Sequence, residues 1–423
     1  MKRKAFGALA VAFCMVLALP AHAQKSVAST FDARLGGFVQ MNITQDTDEN
    51  NDDNPSSLRK NAVLPGTLQD GQKTLRWAST RARLFLDVRG SELWGAKTRA
   101  YTEFDWDGLK LNENTGASSA TAANTPRLRR AYMRFDWSSA YLLIGQDTLL
   151  FFDGVSSAGS AYIEGVASAR GGMTGGSRNR APAFTGGWKF PLAAANLELL
   201  GSVARHTTDS DAAAGINDTG TRAAKPALET MAKLTAPLFG REALIAVSTY
   251  WGQEELRSGT TSANRVTQDV NSRGVGLQGA LPLGPVIPGL GAFEARGSLF
   301  RTSNMARWNL GNNSLTTSTP PNARAVDAKG GWAEVNWQIT PKYALIAGGG
   351  VNRDERGDVI DIGGSTPRIF DNKGVWLFAT WTDGPWGFLA GWSKVDTKWL
   401  VPTTLAEIKN DSSSVNLVFR YSF

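Results

Sequence analysis

The carboxy-terminal stretch 413–423 alternates between apolar and polar side chains up to its last residue. Because successive side chains of a strand point to opposite faces, this stretch predicts a β-strand with one apolar and one hydrated face. The apolar face consists of Val415, Leu417, Phe419, Tyr421 and Phe423. A soluble sandwich gains nothing from a band of aromatic rings at its very end. A membrane-spanning barrel does, since its outer wall meets lipid and its rim favours aromatic side chains.

The same period of two recurs in segments of about ten residues, the length that a tilted strand needs to cross a bilayer. Sixteen such strands are predicted, near 35–43, 78–89, 94–107, 127–137, 140–147, 183–190, 197–205, 227–236, 243–251, 272–281, 292–302, 328–339, 343–352, 374–382, 386–397 and 413–423.

The connections between these segments alternate between short and long. The short ones are rich in the Pro and Gly that turns require, as at 237–242 and 383–385. The long ones, such as 148–182 and 303–327, are polar. This alternation predicts an all-β fold, a transmembrane antiparallel β-barrel of about sixteen strands with short periplasmic turns and long extracellular loops.

The amino-terminal residues 1–23 have the pattern of a signal peptide. Lys2, Arg3 and Lys4 precede an apolar stretch, and Ala21 and Ala23 form a small-x-small cleavage site. The mature barrel domain is therefore expected to be 24–423. The single cysteine of the chain lies inside the signal, so cysteine chemistry is excluded from the mature protein.

Composition narrows the class without deciding it. The chain has 45 Lys+Arg and 38 Asp+Glu, and removing the three basic residues of the signal leaves 42 against 38, or +4. That balance is far from the basic excess of a nucleic-acid binder. No run after residue 24 approaches the length of an apolar spanning helix. The 45 Gly, 14 Trp and 19 Phe suit a barrel but would also suit a secreted β-sandwich.

A barrel of this size encloses an aqueous channel that side chains cannot fill, so inward positions are expected to be polar throughout. We interpret most of them as hydrated wall residues that tune selectivity. These positions are Glu198, Glu229, Lys233, Gln278, Glu294, Arg296, Glu334, Asn336 and Gln338.

A basic cluster is predicted on the inner face of three consecutive strands. It contains Arg81, Arg83, Arg89, Lys97, Arg99, Arg130 and Arg134, partly offset by Asp87, Glu103, Asp105 and Asp136. Arginines on a pore wall raise the local concentration of anions and can grip carboxylate or phosphate with two hydrogen bonds. The alternative is a self-neutralised network of ion pairs that stiffens the wall.

The long loop 149–180 resembles, by its position, the third loop of trimeric porins, which folds into the lumen and narrows it. The resemblance implies a constriction loop carrying Asp153, Glu164, Arg170, Arg178 and Arg180, with Asp153 and Glu164 as acidic partners of the wall arginines. An ordinary surface loop is the alternative.

The chain as a whole resembles bacterial outer-membrane porins. Its terminal strand is similar to the carboxy-terminal signal of outer-membrane barrels. The stretch 126–147, with RLRRAYMRFDW followed by LLIGQDT, resembles a strand pair of DcaP-like and phosphate-selective porins. The segment 24–32 is too short for the coiled-coil extension of DcaP-like members. The resemblance implies a location in the bacterial outer membrane, a homotrimer, and lipid and lipopolysaccharide as partners.

Other candidate sites are weak. His206 is the only histidine of the mature chain, so no site built from several histidines can form, and we interpret it as a loop residue. Asp46, Asp48 and Asp52 could offer oxygens to calcium, but the run 46–53 has Asn51 where a calcium loop needs Gly, which favours a solvated external loop. No catalytic residue, resident metal or cofactor is predicted.

The expected function is therefore a water-filled diffusion channel for small hydrophilic solutes with a weak preference for anions, and not an enzyme. A channel selective for phosphate or dicarboxylates is the first alternative. An outer-membrane hydrolase using His206, or a surface adhesin, represents another class.

Overall fold

The computed structural model describes residues 32–48, 61–79, 82–108, 125–151, 155–156, 158, 180–206, 223–258, 264–284, 291–306, 310–317 and 320–423. The predicted signal peptide and the residues around its cleavage site lie outside these ranges.

Seventeen strands form a single antiparallel sheet. They are β1 (Asp32–Asp46), β2 (Thr74–Ala78), β3 (Arg83–Arg89), β4 (Lys97–Gly108), β5 (Thr125–Asp136), β6 (Ala140–Thr148), β7 (Arg180–Leu192), β8 (Ala195–Ala204), β9 (Ala227–Leu238), β10 (Arg241–Ser258), β11 (Val266–Gly284), β12 (Ala292–Ser303), β13 (Asp327–Gln338), β14 (Tyr343–Asp354), β15 (Arg368–Asp383), β16 (Trp386–Leu400) and β17 (Glu407–Ser422). A short helix, α1 (Arg356–Asp361), lies between β14 and β15.

The sheet closes on itself, because β1 pairs with β17 over nine residues. Both β2 and β3 pair with β1, one above the other, so they are two halves of one interrupted wall strand. The seventeen strands therefore build a wall of sixteen, and the predicted strand number and barrel class are confirmed. Closure leaves no unpaired sheet edge.

The apolar side of the alternation faces outward. Val39 is 58% exposed, Leu299 62% and Phe419 49%, while the intervening Gln40, Ser298 and Asn416 are buried on the inner side. Large exposed apolar side chains on nearly every strand are what a lipid-facing wall requires.

The strands extend further at the loop end than the sequence pattern predicted. The β10 strand continues to Ser258 and β11 begins at Val266, so most of the stretch between the strands predicted at 243–251 and 272–281 is paired. Apolar alternation stops near the lipid boundary, but the backbone ladder continues beyond it into water. The turn end is tight by contrast, with Gly240 and Gly384 at positive φ in hairpin turns. Among the described residues, no helix is long and apolar enough to cross a membrane.

We expect Val247→Arg to destabilise the barrel. Val247 is an outward residue near the middle of β10, 46% exposed, and a charge at mid-membrane depth on a barrel wall costs about 2–4 kcal/mol. The free energy of unfolding, measured by denaturant titration in lipid vesicles, should fall by that amount. Thr267→Arg is the matched control, because Thr267 is outward and exposed but lies at the far loop end of β11. Equal losses for the two variants would contradict the lipid-facing assignment of β10.

Candidate pore and constriction

Four of the seven predicted basic residues lie together on the inner faces of β3, β4 and β5. Cross-strand register places Arg99 opposite Arg134, and Arg130 opposite Glu103. Arg83 of β3 completes the group. Their side chains remain between 22% and 35% exposed, so they border the open part of the bore.

Carboxylates of the same wall pair with each of these arginines. The ion pairs are Arg83–Glu103 at 3.6 Å, Arg99–Asp87 at 2.6 Å, Arg130–Asp147 at 3.0 Å and Arg134–Asp136 at 2.8 Å. The ion-pair network that the sequence left open as an alternative therefore describes these side chains, and their charge is largely compensated within the wall.

Arg129, with its neighbour Arg127, is a wall residue that sequence reasoning missed. The register between β4 and β5 shifts by one residue beside Glu103, and this β-bulge turns Arg129 inward. Its side chain is 5% exposed and donates to Glu103 at 2.8 Å and to Asp105, which also accepts from Arg127 at 2.7 Å. Strict alternation would place Arg129 in lipid, an unfavourable position for a charge, and that conflict was the available signal.

The remaining predicted members of the cluster lie apart from it. Arg89 is exposed near the turn end, 4.0 Å from Asp32, and Lys97 is exposed opposite Asp136. Arg81 is outside the described residues. Four of the seven predicted members therefore belong to the described cluster, which is centred on β4 and β5.

Aromatic rings support the wall arginines. Tyr101 stacks on Phe85 at 5.7 Å and on Tyr132 at 5.4 Å between ring centroids. The guanidinium carbon of Arg99 lies 5.2 Å from the centre of the Tyr101 ring, and that of Arg134 lies 3.9 Å from the ring of Tyr141. Stacking on a ring and pairing with a carboxylate together restrict where each guanidinium can point.

The segment that follows β6, whose described residues are 149–151, 155–156 and 158, folds into the barrel and is called the inserted segment below. It contacts the inner side of the wall opposite β6. The backbone N–H of Leu150 donates to Glu229 of β9 at 2.8 Å, that of Val155 to Gln278 of β11 at 2.9 Å, and that of Ala158 to Glu334 of β13 at 2.7 Å. The guanidinium of Arg296 on β12 donates to the carbonyl of Ser156 at 3.2 Å. Wall strand β13 is seven strands from β6 in a wall of sixteen, so the segment reaches nearly the opposite side.

Three of the inner-wall residues that were predicted to be hydrated are buried instead. Glu229 and Gln278 are 1% exposed and Glu334 is 3% exposed, because the inserted segment covers them. Arg180 is the first residue of β7, opposite Thr148, and so belongs to the wall and not to the loop. Asp153, Glu164, Arg170 and Arg178 lie outside the described residues, and their place in the constriction stays a prediction.

The expectation that the inner face is polar throughout was wrong. A buried apolar cluster lines the inner side of β13–β17, and Val155 and Ala158 pack against it. Its members are Trp332, Ile346, Trp376, Phe378, Leu389, Val395 and Val418. The β15 sequence around Trp376 is apolar on both faces, a pattern that indicates apolar surroundings on the inner side as well as the outer. The cluster excludes water where the inserted segment packs against it. Hydrogen bonds in such low-dielectric surroundings are stronger than in water.

Amides line the inner wall at the loop end. The Asn372 side chain donates to Asn61 at 2.8 Å and to Asn312 at 3.0 Å, and the backbone N–H of Ala62 donates to Thr397 at 2.8 Å. Residues 61–63 and 310–313 are therefore held over the wall strands β15–β17. Asn312 and Asn313 also donate to the buried carboxylate of Asp354, at 2.7 and 2.8 Å from their backbone N–H groups.

His206 follows the end of β8, as its interpretation as a loop residue expects, but its side chain is buried. It is 2% exposed, with Nδ1 bonded to the Tyr250 hydroxyl and Nε2 3.5 Å from the Ser272 hydroxyl. The Tyr250 ring also contacts Phe151 of the inserted segment at 5.9 Å between centroids. The burial of His206 leaves little room for a substrate.

The acidic candidates for calcium have partners within the protein. Asp46 forms an ion pair with Arg76 at 2.6 Å, and Asp48 accepts from the backbone N–H of Gly71 at 2.9 Å. Asp52 lies outside the described residues. In the part of the chain that the structure describes, no group of three potential metal ligands occurs.

Comparison with known proteins gives the fold its context. No protein-family model matches the chain, and no curated protein does. The outer membrane channel DcaP of Acinetobacter baumannii has a TM-score of 0.63 and 16% identity, covering 96% of this chain and 100% of its own. An anion-selective porin from Comamonas acidovorans has 0.52 and 9%, covering 93% and 100%. The trimer form of OmpT, an outer membrane protein of Vibrio cholerae, has 0.51 and 11%, covering 93% and 99%. At such identities these similarities establish the porin-type barrel as the fold.

We expect Glu334→Ala to loosen the constriction. Without this carboxylate the Ala158 N–H loses its acceptor, and an unmet buried donor costs about 1–3 kcal/mol. The single-channel conductance in planar bilayers should rise and become noisier as the segment leaves the wall. Glu198→Ala is the matched control, since Glu198 is an inner-wall glutamate paired with Lys233 and not with the inserted segment. A Glu334→Ala conductance equal to wild type would show that this anchor does not set the pore width.

Proposed function

We propose that this chain is a bacterial outer-membrane channel through which small hydrophilic solutes diffuse, with a mild preference for anions. The observation that carries the proposal is the asymmetric bore. An inserted segment and an apolar cluster occupy the side of β9–β17, and partly exposed arginines line the side of β3–β5. Diffusion through such a bore involves no covalent step.

The weak anion preference follows from the charge on the arginine side. Six arginines, Arg83, Arg99, Arg127, Arg129, Arg130 and Arg134, accompany five carboxylates, Asp87, Glu103, Asp105, Asp136 and Asp147. Arg420 of β17 adds a seventh guanidinium, which donates to the neutral amide oxygen of Gln40 at 2.9 Å. The small positive excess favours anions in the bore without excluding cations.

A channel that binds phosphate or dicarboxylates tightly is less well supported. Tight selection requires guanidinium groups with free hydrogen-bond donors in a fixed arrangement. Here Asp87 already takes two donors of Arg99, and Asp136 takes two of Arg134. A solute would have to compete with these carboxylates, which favours weak attraction over a saturable site.

The rival classes fit the geometry less well. A hydrolase would require His206 to face a substrate, but its ring is 2% exposed and bonded to Tyr250. An adhesin would not need a segment held inside the barrel by Glu229, Gln278 and Glu334. The homotrimer and the outer-membrane setting are proposed with the channel, supported by the similarity of the fold to an outer membrane channel and to a trimeric outer membrane protein.

Replacing Arg83, Arg130 and Arg420 together by Gln should shift the ion selectivity of the channel toward cations. The carboxylates Glu103 and Asp147 would lose compensating charge, so the anion-to-cation permeability ratio should fall by about two- to fivefold. The reversal potential under a salt gradient measures this ratio. The control replaces Arg324, Lys342 and Arg356 by Gln, three ion-paired cations outside the bore. An unchanged reversal potential would refute the proposed selectivity and leave the channel itself standing.

The His206→Gln variant should conduct like the wild type after correct folding, and neither protein should hydrolyse ester or peptide substrates. Conductance and hydrolysis are measured on the same reconstituted preparation. Hydrolysis by the wild type that disappears in the variant would move the protein to the enzyme class.

A further inference from the structure

Three cations stand on the outer surface of the barrel where the apolar band ends. They are Arg273 of β11, Arg301 of β12 and Lys329 of β13, all exposed. Their chain neighbours Ser272, Thr302 and Ala328 are buried on the inner side, so the cations point away from the bore. They lie outside the pore and have no part in the proposed conduction.

The sheet register brings these like charges together. Arg301 lies directly opposite Lys329. Arg273 is diagonal to Arg301, because Val275 is the direct partner of Arg301. Directly opposed side chains have Cβ atoms about 4.5–5.5 Å apart, and like charges in that position repel and destabilise the sheet. The wall therefore needs an opposite charge here.

The protein does not supply that charge at bonding distance. Within the described ranges, none of the three cations forms an ion pair with a carboxylate at 4.0 Å or less. The next cations along the wall differ, since Arg353 and Lys398 share Asp371 at 2.9 and 3.7 Å. The outward cations of β11–β13 thus lack the carboxylate partner that Arg353 and Lys398 have.

A groove runs between these cations. One part, of about 340 Å³, is lined by Arg273, Val275, Arg301, Ser303 and Asp327. The adjoining part, of about 240 Å³, is lined by Arg301, Asp327, Lys329 and Glu355. Asp327 lies two residues from Lys329 on the same outer face, and the backbone N–H of Glu355 donates to the Asp327 carbonyl. Both carboxylates are further from the apolar band than Arg301 and Lys329, so the cations are nearest to the membrane.

The surface on the membrane side of the groove is apolar. Val275 is 48% exposed, Leu277 45% and Leu299 62%. Leu277 and Leu299 lie directly opposite each other, two residues along each strand from the Val275–Arg301 pair on the membrane side. A ligand seated here would meet hydrocarbon at one end and three cations at the other.

We infer that this outer groove binds the phosphorylated head group of a membrane lipid of the outer leaflet. A phosphate accepts two parallel hydrogen bonds from a guanidinium, and basic pockets next to the hydrocarbon region bind lipid head groups. The exposed leucines select a lipid over free phosphate, because they offer its acyl chains a wall to lie on. The inference rests on the proposed placement of the barrel in the outer membrane.

The test is lipid binding by the full mature protein in detergent, followed by native mass spectrometry. The probes are diphosphoryl lipid A, dephosphorylated lipid A and inorganic phosphate. The variant is Arg301→Gln with Lys329→Gln, for which the affinity for diphosphoryl lipid A should fall about tenfold or more. The matched control is Lys394→Gln with Lys398→Gln, which removes two outward cations that have carboxylate partners. This control should retain wild-type affinity.

Three results would overturn the inference. They are equal binding of dephosphorylated lipid A, saturation of the site by inorganic phosphate at the same affinity, and unchanged lipid binding by the double variant. Should the double variant fail to fold, Arg301→Lys and Lys329→Arg keep the charge and should keep binding, whereas Arg301→Gln alone should weaken it. Conductance of the same preparations separates the two claims. A conducting barrel without selective lipid binding refutes only the groove, and a lipid-binding barrel without conductance refutes only the channel.

Discussion

The structure depends on one constraint, that a backbone inside hydrocarbon must satisfy all its hydrogen bonds internally. An open sheet fails this requirement at its two edges, and pairing β1 with β17 removes both. The alternation of side chains then follows from the pleat, with lipid outside and the bore inside. Even the interrupted strand obeys the constraint, since β2 and β3 both find their partners on β1.

Within the closed wall, two different solutions fill the interior. Toward β3–β5 the inner face carries charges that neutralise one another across neighbouring strands, and aromatic rings fix their geometry. Toward β13–β17 the inner face is apolar and dry, and an inserted segment rests on it. The wet and dry sides together define a bore that is narrower than the backbone cylinder.

The sequence predicts the cylinder well and its contents poorly, for physical reasons. Alternation is a local property of each strand, so outward residues such as Phe419 and Leu299 were recognisable from their neighbours alone. The role of Glu334 depends on a segment more than 170 positions away that covers it, and no local pattern reports that contact. Arg129 was missed because a bulge breaks the period of two, and His206 because its burial comes from Tyr250 and Ser272 on other strands.

The anchoring of the inserted segment also has a consequence for the order of assembly. Its hydrogen-bond acceptors stand on β9, β11 and β13, all of which follow it in the chain. The inserted segment therefore lacks its hydrogen-bond acceptors until those later strands have joined the sheet. Contacts of such long sequence separation form late in folding. The width of the bore is thus decided after the cylinder has formed, as a final docking step on a finished surface.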